Sequence, residues 1–373
     1  MRIGVPKETA EGERRVALVP DVVKSLKRNE HVDVVVEAGA GDASGHPDSQ
    51  YKEAGAEVAG AGEAWGAEIV LRVAVPAIEE IGRLGSNQLL ISHLSPWTSA
   101  ETNKALASAG VTAFAMEAIP RTTRAQAMDA LSSQAAAAGY AATLIGARES
   151  GRFFGMMTTA AGTVPPAKVL VLGAGVAGLQ AVATAKRLGA IVTGFDIRRA
   201  AWEQIASLGG RPLELDFIPD AEGEGGYARP LTDEENAQVR DALAENAAKQ
   251  DIIVTTAAIP GRPAPLLITA DAVRSMAPGS VIVDLAAETG GNCELTQAGQ
   301  TVVENGVKVI GPRNLASEMP APASQLYAKN LENLLGLLVG EEDGAVKVDF
   351  EDDIIAAACI TQGGEIKNER AAK

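Results

Sequence analysis

Residues 168–178 read KVLVLGAGVAG, an apolar run that opens straight into a Gly-x-Gly-x-x-Gly turn at Gly173, Gly175 and Gly178 and continues into the helix-like AVATAKRLGA. No other feature constrains the fold as much. A glycine at 173 permits the tight turn from strand to helix. One at 175 lets a pyrophosphate approach the backbone, and one at 178 lets the helix lie close to the strand. The N-terminus of that helix then favours an anion. A second apolar run, AIVTGFD, ends on Asp196, 18 residues beyond Gly178. An acid at that spacing accepts hydrogen bonds from the adenosine ribose hydroxyls and disfavours a 2′-phosphate, so the pattern points to NAD(H) rather than NADP(H). Glycines alone would be weak evidence, because turns use them widely. The run EAGAGDASG at 37–45 shows the contrast: it has glycines but no helix or spaced acid after them, and reads as a loop.

The first third alternates strand candidates (MRIGVP, VDVVVEAG, AEIVLRVAV, NQLLISHL, VTAFAME) with helix-like stretches such as PDVVKSLKR and SAETNKALASAG. From Lys168 the pattern restarts with KVLVL, AIVTGFD, DIIVTTA, SVIVDLA and KVIG. Such alternation predicts parallel sheets flanked by helices. The fold class expected is therefore α/β, with two Rossmann-like doubly wound domains and a cleft between them. The Ala-rich stretch 132–149 is a good helix former and bridges the two. Near the end, Tyr327, Leu331, Leu334, Leu335 and Leu338 fall at helical spacing and read as a core stripe. The following VKVDF and IIAAACI read as a terminal hairpin or strand pair that returns to the first domain. The expected boundaries are 1–132 plus 316–373 for the N-terminal domain completed by the tail, and 133–315 for the nucleotide-binding domain.

Composition narrows the partners. A length of 373 residues allows two substantial cores, and aromatics at 3% leave Ala, Val, Leu and Ile to fill them. A formal charge of −15 argues against nucleic acid and against docking on anionic lipid. Two cysteines, Cys293 and Cys359, give neither a disulfide framework nor metal spacing, and read as buried thiols in a reducing compartment. The opening MRIGVPKE does not read as a signal peptide, and no apolar run is long enough to span a bilayer. No metal site and no direct membrane insertion are expected.

Two further segments carry polar chemistry. The stretch AMEAIPRTTRAQAMDALSSQ concentrates Arg121, Arg124, Gln126, Asp129, Ser132 and Ser133. Arg can bridge a phosphate or amide oxygen, Gln and Asp can bond a carboxamide, and Ser can do either. The same residues could cap the bridging helix, with Asp129 or Ser132 at the N-cap. The second segment, DFIPDAEGEGGYARPLTDEE, is acidic and glycine-rich around Gly226 and Tyr227. It reads either as a solvated surface loop or as a lid over a ligand.

That polar stretch, together with PKETAEGERRVAL, TAAGTVPPAKVLVLGAGVAGLQA, TTAAIPGRPAP and VDLAAETGGNC, closely resembles the NAD(H)-binding domain of the proton-translocating nicotinamide nucleotide transhydrogenases, from Met1 to about Gly364. The resemblance implies that Arg121, Gln126, Asp129 and Ser132 hold the nicotinamide and serve as the catalytic set, with Ser133 beside them. Val176 and Ala177 would belong to the phosphate turn, Asp196, Ile197 and Arg198 to the ribose site, and Thr256 and Ala258 to a cofactor-lining strand end. Tyr227, next to Gly226, would lie on a mobile loop, which favours the lid. Implied too are direct hydride transfer from NADH to NADP+ on a partner subunit, membrane-spanning partner subunits that carry proton translocation, and a homodimer. The location implied is cytoplasmic, peripheral on the inner face of the cell membrane through those partners.

Alanine dehydrogenase resembles the chain in a similar way, with Arg15 and His93 at its substrate arginine and catalytic histidine. Ala74 stands where that family has a substrate-binding lysine, and Glu288 where it has a catalytic aspartate. Without the lysine an oxo-acid carboxylate loses a cation, so His93 reads as a structural histidine; His31 and His46 read as surface residues. A non-catalytic NAD-binding module would keep the glycine turn and Asp196 without needing the polar stretch at 121–133.

Overall fold

Six short strands follow one another from the N-terminus: β1 (Arg2–Val5), β2 (Asp33–Glu37), β3 (Glu57–Ala59), β4 (Ile69–Leu71), β5 (Leu89–Ser92) and β6 (Thr112–Ala115). They pair in parallel in the order β3-β2-β1-β4-β5-β6. A parallel sheet covered on both faces needs apolar side chains on both, and β4 and β5 are buried throughout. Their alternation divides the core into layers. Ile69, Leu71, Leu89 and Ile91 join a cluster with Tyr327 and Leu331, whereas Val70 and Leu90 join Trp65 and Leu106 on the opposite face. The structure is a computed structural model that describes residues 1–215, 217, 221, 229, 231–258, 263–340, 342–368 and 370–371. It divides into one unit of Met1–Gln134 with Ser317–Lys373 and another of Ala135–Ala316.

In the second unit an exposed hairpin, β7 (Met157–Thr159) with β8 (Gly162–Val164), precedes the main sheet. That sheet comprises β9 (Lys168–Leu172), β10 (Ile191–Phe195), β11 (Arg211–Pro212), β12 (Ile252–Thr255), β13 (Val281–Asp284), β14 (Gln300–Glu304) and β15 (Val307–Gly311). Its order is β11-β10-β9-β12-β13-β15-β14, with only β14 antiparallel. Among the parallel strands this is the 3-2-1-4-5-6 order of a dinucleotide-binding sheet, and β1–β6 of the first unit repeat it. Both units are thus doubly wound α/β, as the restarting pattern predicts.

The helix expected over 132–149 runs over Ala130–Ser150, and the unit boundary falls within it. The helix Pro320–Leu338 buries Tyr327, Leu331, Leu334, Leu335 and Leu338 as a core stripe. Beyond it, β16 (Cys359–Gln362) pairs antiparallel with β6, and β17 (Glu365–Ile366) extends that edge.

The tail differs from expectation in detail. VKVDF forms no strand beyond a single bridge from Val346 to Val339, and most of IIAAACI is the helix Asp353–Ala358; the hairpin is β16–β17. The cause is a cap. The Asp352 carboxylate accepts from the Ile354 and Ile355 amides, and Arg124 clamps it through Nη1 at 2.6 Å and Nη2 at 2.8 Å. No helix among the described residues is long and apolar enough to cross a membrane.

Candidate functional site

The glycine turn lies at the carboxyl end of β9, where the strand order reverses between β9 and β12 and an open α/β sheet presents its ligand crevice. Gly173 adopts φ +93°, a conformation side chains disfavour, and a Cβ there would lie 2.8 Å from Thr256 Oγ1. Thr256 ties the two strand ends together. Its amide donates to Leu172 O at 2.7 Å and its hydroxyl to Gly173 O at 3.0 Å. Gly175 is the N-cap of the helix Val176–Arg187, and the space where its side chain would stand is open. Val176 is exposed beside it, so the first amides of that helix face accessible space. Gly139 of the long helix approaches so closely that a Cβ would lie 2.0 Å from Ala177 O. That packing fixes the turn from behind.

Asp196 ends β10 and is 7% exposed. Its carboxylate accepts from the Ala174 amide inside the turn at 2.7 Å, and from the amide, Nε and Nη2 of Arg198 at 2.9, 2.9 and 2.8 Å. Trp202 Nε1 donates to the Asp196 carbonyl. Ile197 is half-buried against the second unit's core, and its carbonyl accepts from the Ala221 amide. Ala258, two residues beyond Thr256, is exposed.

Sequence reasoning passed over the residues that hold this crevice open. Asp284, at the end of β13, is fully buried. It receives five donors: Thr255 Oγ1, the amides of Ala286, Asn292 and Cys293, and Thr296 Oγ1 at 2.6 Å. Asn292 Nδ2 then donates to the carbonyls of Ala257 and Pro265, both at 2.8 Å. The VDLAAETGGNC segment thereby pins the chain that follows Thr256. An acid on an otherwise apolar strand was the available signal. Cys293 is buried beside it, and burial pushes its thiol up to about 11, that of Cys359 to about 12.

The polar stretch of the first unit divides among several tasks. Arg121 is exposed, and Gln126 is exposed at the start of a 3-10 turn, Gln126–Met128. Asp129 caps the long helix, with its carboxylate accepting from the Ser132 amide at 2.9 Å and hydroxyl at 2.6 Å. The structure therefore brings Asp129 and Ser132 together. Ser133 turns toward Asn330 at 2.7 Å, and Arg124 belongs to the Asp352 clamp. Gly226 and Tyr227 lie outside the described residues.

Deeper in that unit, Arg15 is held by Glu13 at 2.6 Å and by Gln134 at 2.8 Å. His93 Nδ1 lies 3.4 Å from Glu117, and its ring packs on Tyr327. Burial pushes the Glu117 carboxyl up, but hydrogen bonds from His93 and Ser95 outweigh it and hold the group below the usual carboxylate range. The Ala74 carbonyl accepts from Ser92, and no cation is supplied at that position. His31 is exposed, as expected, but His46 is half-buried with Nδ1 3.3 Å from Gln50, because the 3-10 turn Asp42–Ser44 folds the chain back over it.

Residues 4–138 match the family model described as alanine dehydrogenase/PNT, N-terminal domain, and residues 142–369 match its C-terminal domain. The chain is similar to NAD(P) transhydrogenase subunit alpha of Haemophilus influenzae, with 48% identity over 98% of this chain and 71% of that protein. It is 45% identical to an NAD(P) transhydrogenase subunit alpha polypeptide of Rhodospirillum rubrum, over 98% of this chain and 97% of the other. A crystal structure of transhydrogenase from Sinorhizobium meliloti matches with a TM-score of 0.89 at 46% identity, covering 98% of this chain and 100% of that one. Alanine dehydrogenase of Bacillus subtilis is more distant, at 31% identity over 100% of this chain and 94% of that one.

Proposed function

The chain belongs to the alanine dehydrogenase/PNT family, and from that premise we propose that it is the NAD(H)-binding alpha subunit of an NAD(P) transhydrogenase. It is an oxidoreductase component whose NADH exchanges hydride directly with NADP+ on a partner subunit. The observation that carries this reading is the turn at Gly173, Gly175 and Gly178, set at the reversal of strand order with open space beside Gly175 and a helix N-terminus behind it. Helix amides so placed suit a pyrophosphate, which fits this cradle.

We assign the pyrophosphate to the backbone of Gly175, Val176 and Ala177, and the adenosine ribose to Asp196, Ile197 and Arg198. Thr256 and Ala258 would line the nucleotide. Arg121, Gln126, Asp129, Ser132 and Ser133 would hold the nicotinamide and its carboxamide, and the segment with Gly226 and Tyr227 would close over it. Hydride passes between two nicotinamides without an acid or base from this chain. What the chain must do is fix one ring, exclude water and admit the partner ring. Proton translocation would belong to membrane-spanning partner subunits. A homodimer held at the cytoplasmic face of the membrane by those partners completes the proposal.

Ala74 and Glu288 set the site apart from that of an alanine dehydrogenase. The deciding experiment measures hydride transfer between NADH and an NADP-type acceptor, with and without the NADP-binding component of a transhydrogenase. Rapid transfer only in the mixture is the expected result. NADH binding without transfer beside a competent partner would leave a binding module.

A further inference from the structure

We propose that Arg198 is a specificity-determining residue of the ribose site: its guanidinium occupies the Asp196 acceptors that a ribose diol needs, and offers a 2′-phosphate a cation. This rests on the reading of the crevice as a nucleotide site. A carboxylate presents about four lone-pair sites. On Asp196 the donors that fill them are the Ala174 amide and the amide, Nε and Nη2 of Arg198. Two of those donors are backbone and stay where the turn puts them. The other two belong to a side chain that can rotate away.

A ribose diol also brings two O–H donors, so entry of an unphosphorylated nucleotide exchanges diol for guanidinium one for one. Arg198 thus competes with NAD(H) for Asp196. Its Nη2 also reaches the Ala174 carbonyl at 3.2 Å, which keeps the positive charge at the edge of the glycine turn. A 2′-phosphorylated ribose meets the opposite situation. A bare carboxylate would repel its phosphate, whereas a planar guanidinium pairs with one. Both effects narrow the preference that Asp196 alone would create.

The test is fluorescence titration of the full chain with NADH and with NADPH, in wild type, Arg198→Ala and Arg198→Lys, each variant first checked for native circular dichroism. The ratio of the NADPH to the NADH dissociation constant should rise by roughly tenfold or more in Arg198→Ala, a loss the size of one charged contact. Arg198→Lys keeps the charge without the fork and should fall between the two. An unchanged or smaller ratio in Arg198→Ala overturns the proposal. Should that variant not fold, a ratio above wild type in Arg198→Lys supports it and an equal one overturns it. Wild-type protein that bound neither nucleotide would instead remove the nucleotide-site reading itself.

Discussion

The carbonyl oxygen of Gly173 lies 1.8 Å from where a Cβ on Gly178 would stand. Two glycines of one turn therefore serve different ends. Gly178 is required by the fold, whereas Gly175, whose Cβ position is open, is required only by what approaches it. Gly178→Ala should destabilise the second unit by about 1–3 kcal/mol through forced backbone displacement. Gly175→Ala should leave the thermal midpoint near wild type yet weaken NADH binding at least about tenfold. Paired melts and titrations check this. Equal effects of the two substitutions on stability would contradict it.

Gln126→Asn shortens by one methylene an exposed side chain that the proposed function sets against the nicotinamide. Misplacing a ring by about 1 Å can cost roughly 10²-fold in rate, so transfer should slow far more than NADH binding weakens. Stopped-flow transfer rates beside NADH titrations provide the measurement. A changed affinity with wild-type transfer would make Gln126 a binding residue only.

The clamp of Arg124 on Asp352 should register in acid. The side-chain hydrogen bond from Arg124 holds the Asp352 carboxyl at about 2, below its unfolded value near 4. A depressed carboxylate contributes stability that is fully present above the unfolded value and is lost as the pH falls toward the folded one. Arg124 is 50% exposed, so solvent screens the pair and the effect is small. Arg124→Gln should melt below wild type at pH 7, and the gap should narrow at pH 3. A gap that widened in acid would contradict the pairing.

Arg72 is fully buried between Glu8 at 2.8 Å and Glu80 at 2.9 Å, over the face of Trp65. Removing one partner of a buried ion pair leaves charge uncompensated, so Glu8→Ala should cost about 3–5 kcal/mol in urea unfolding. Adding Arg72→Met should restore part of that loss. Full additivity of the two losses would show that the pair is not coupled.

Alone with pyruvate, ammonia and NADH, the chain should form no alanine, because Ala74 supplies no cation to orient an oxo-acid. Chromatographic detection of alanine at enzymatic rates would make the chain a dehydrogenase with an altered substrate site.

Much of this architecture is legible in the sequence alone. Apolar runs such as IVL at 69–71 predict strands, and the pattern's restart at Lys168 predicts a second sheet. Chemistry with few alternatives, such as glycine before a helix, is equally plain. What stayed hidden was pairing. IIAAA is too short for its apolar run to separate strand from helix, and only the Asp352 cap, itself secured by a side chain 228 residues away, decides it. Asp196 was legible as an acid at the right spacing. That Arg198 fills its acceptors depends on rotamers that no periodicity encodes. Asp284 reads in sequence as the end of a strand, and its five donors come from residues that only the fold assembles.

The pairing of β16 with β6 also sets a timetable. The second unit is one continuous stretch, 135–316, complete while the ribosome is still making the tail. The first unit has its opening strands made long before then, but it lacks the helix Pro320–Leu338 and the strand that covers β6. At roughly 5–20 residues per second, that edge waits about 10–45 seconds for its neighbour. An uncovered strand edge is a template for other chains. During synthesis, therefore, the half of the protein that begins first is the half that finishes last and needs protection longest.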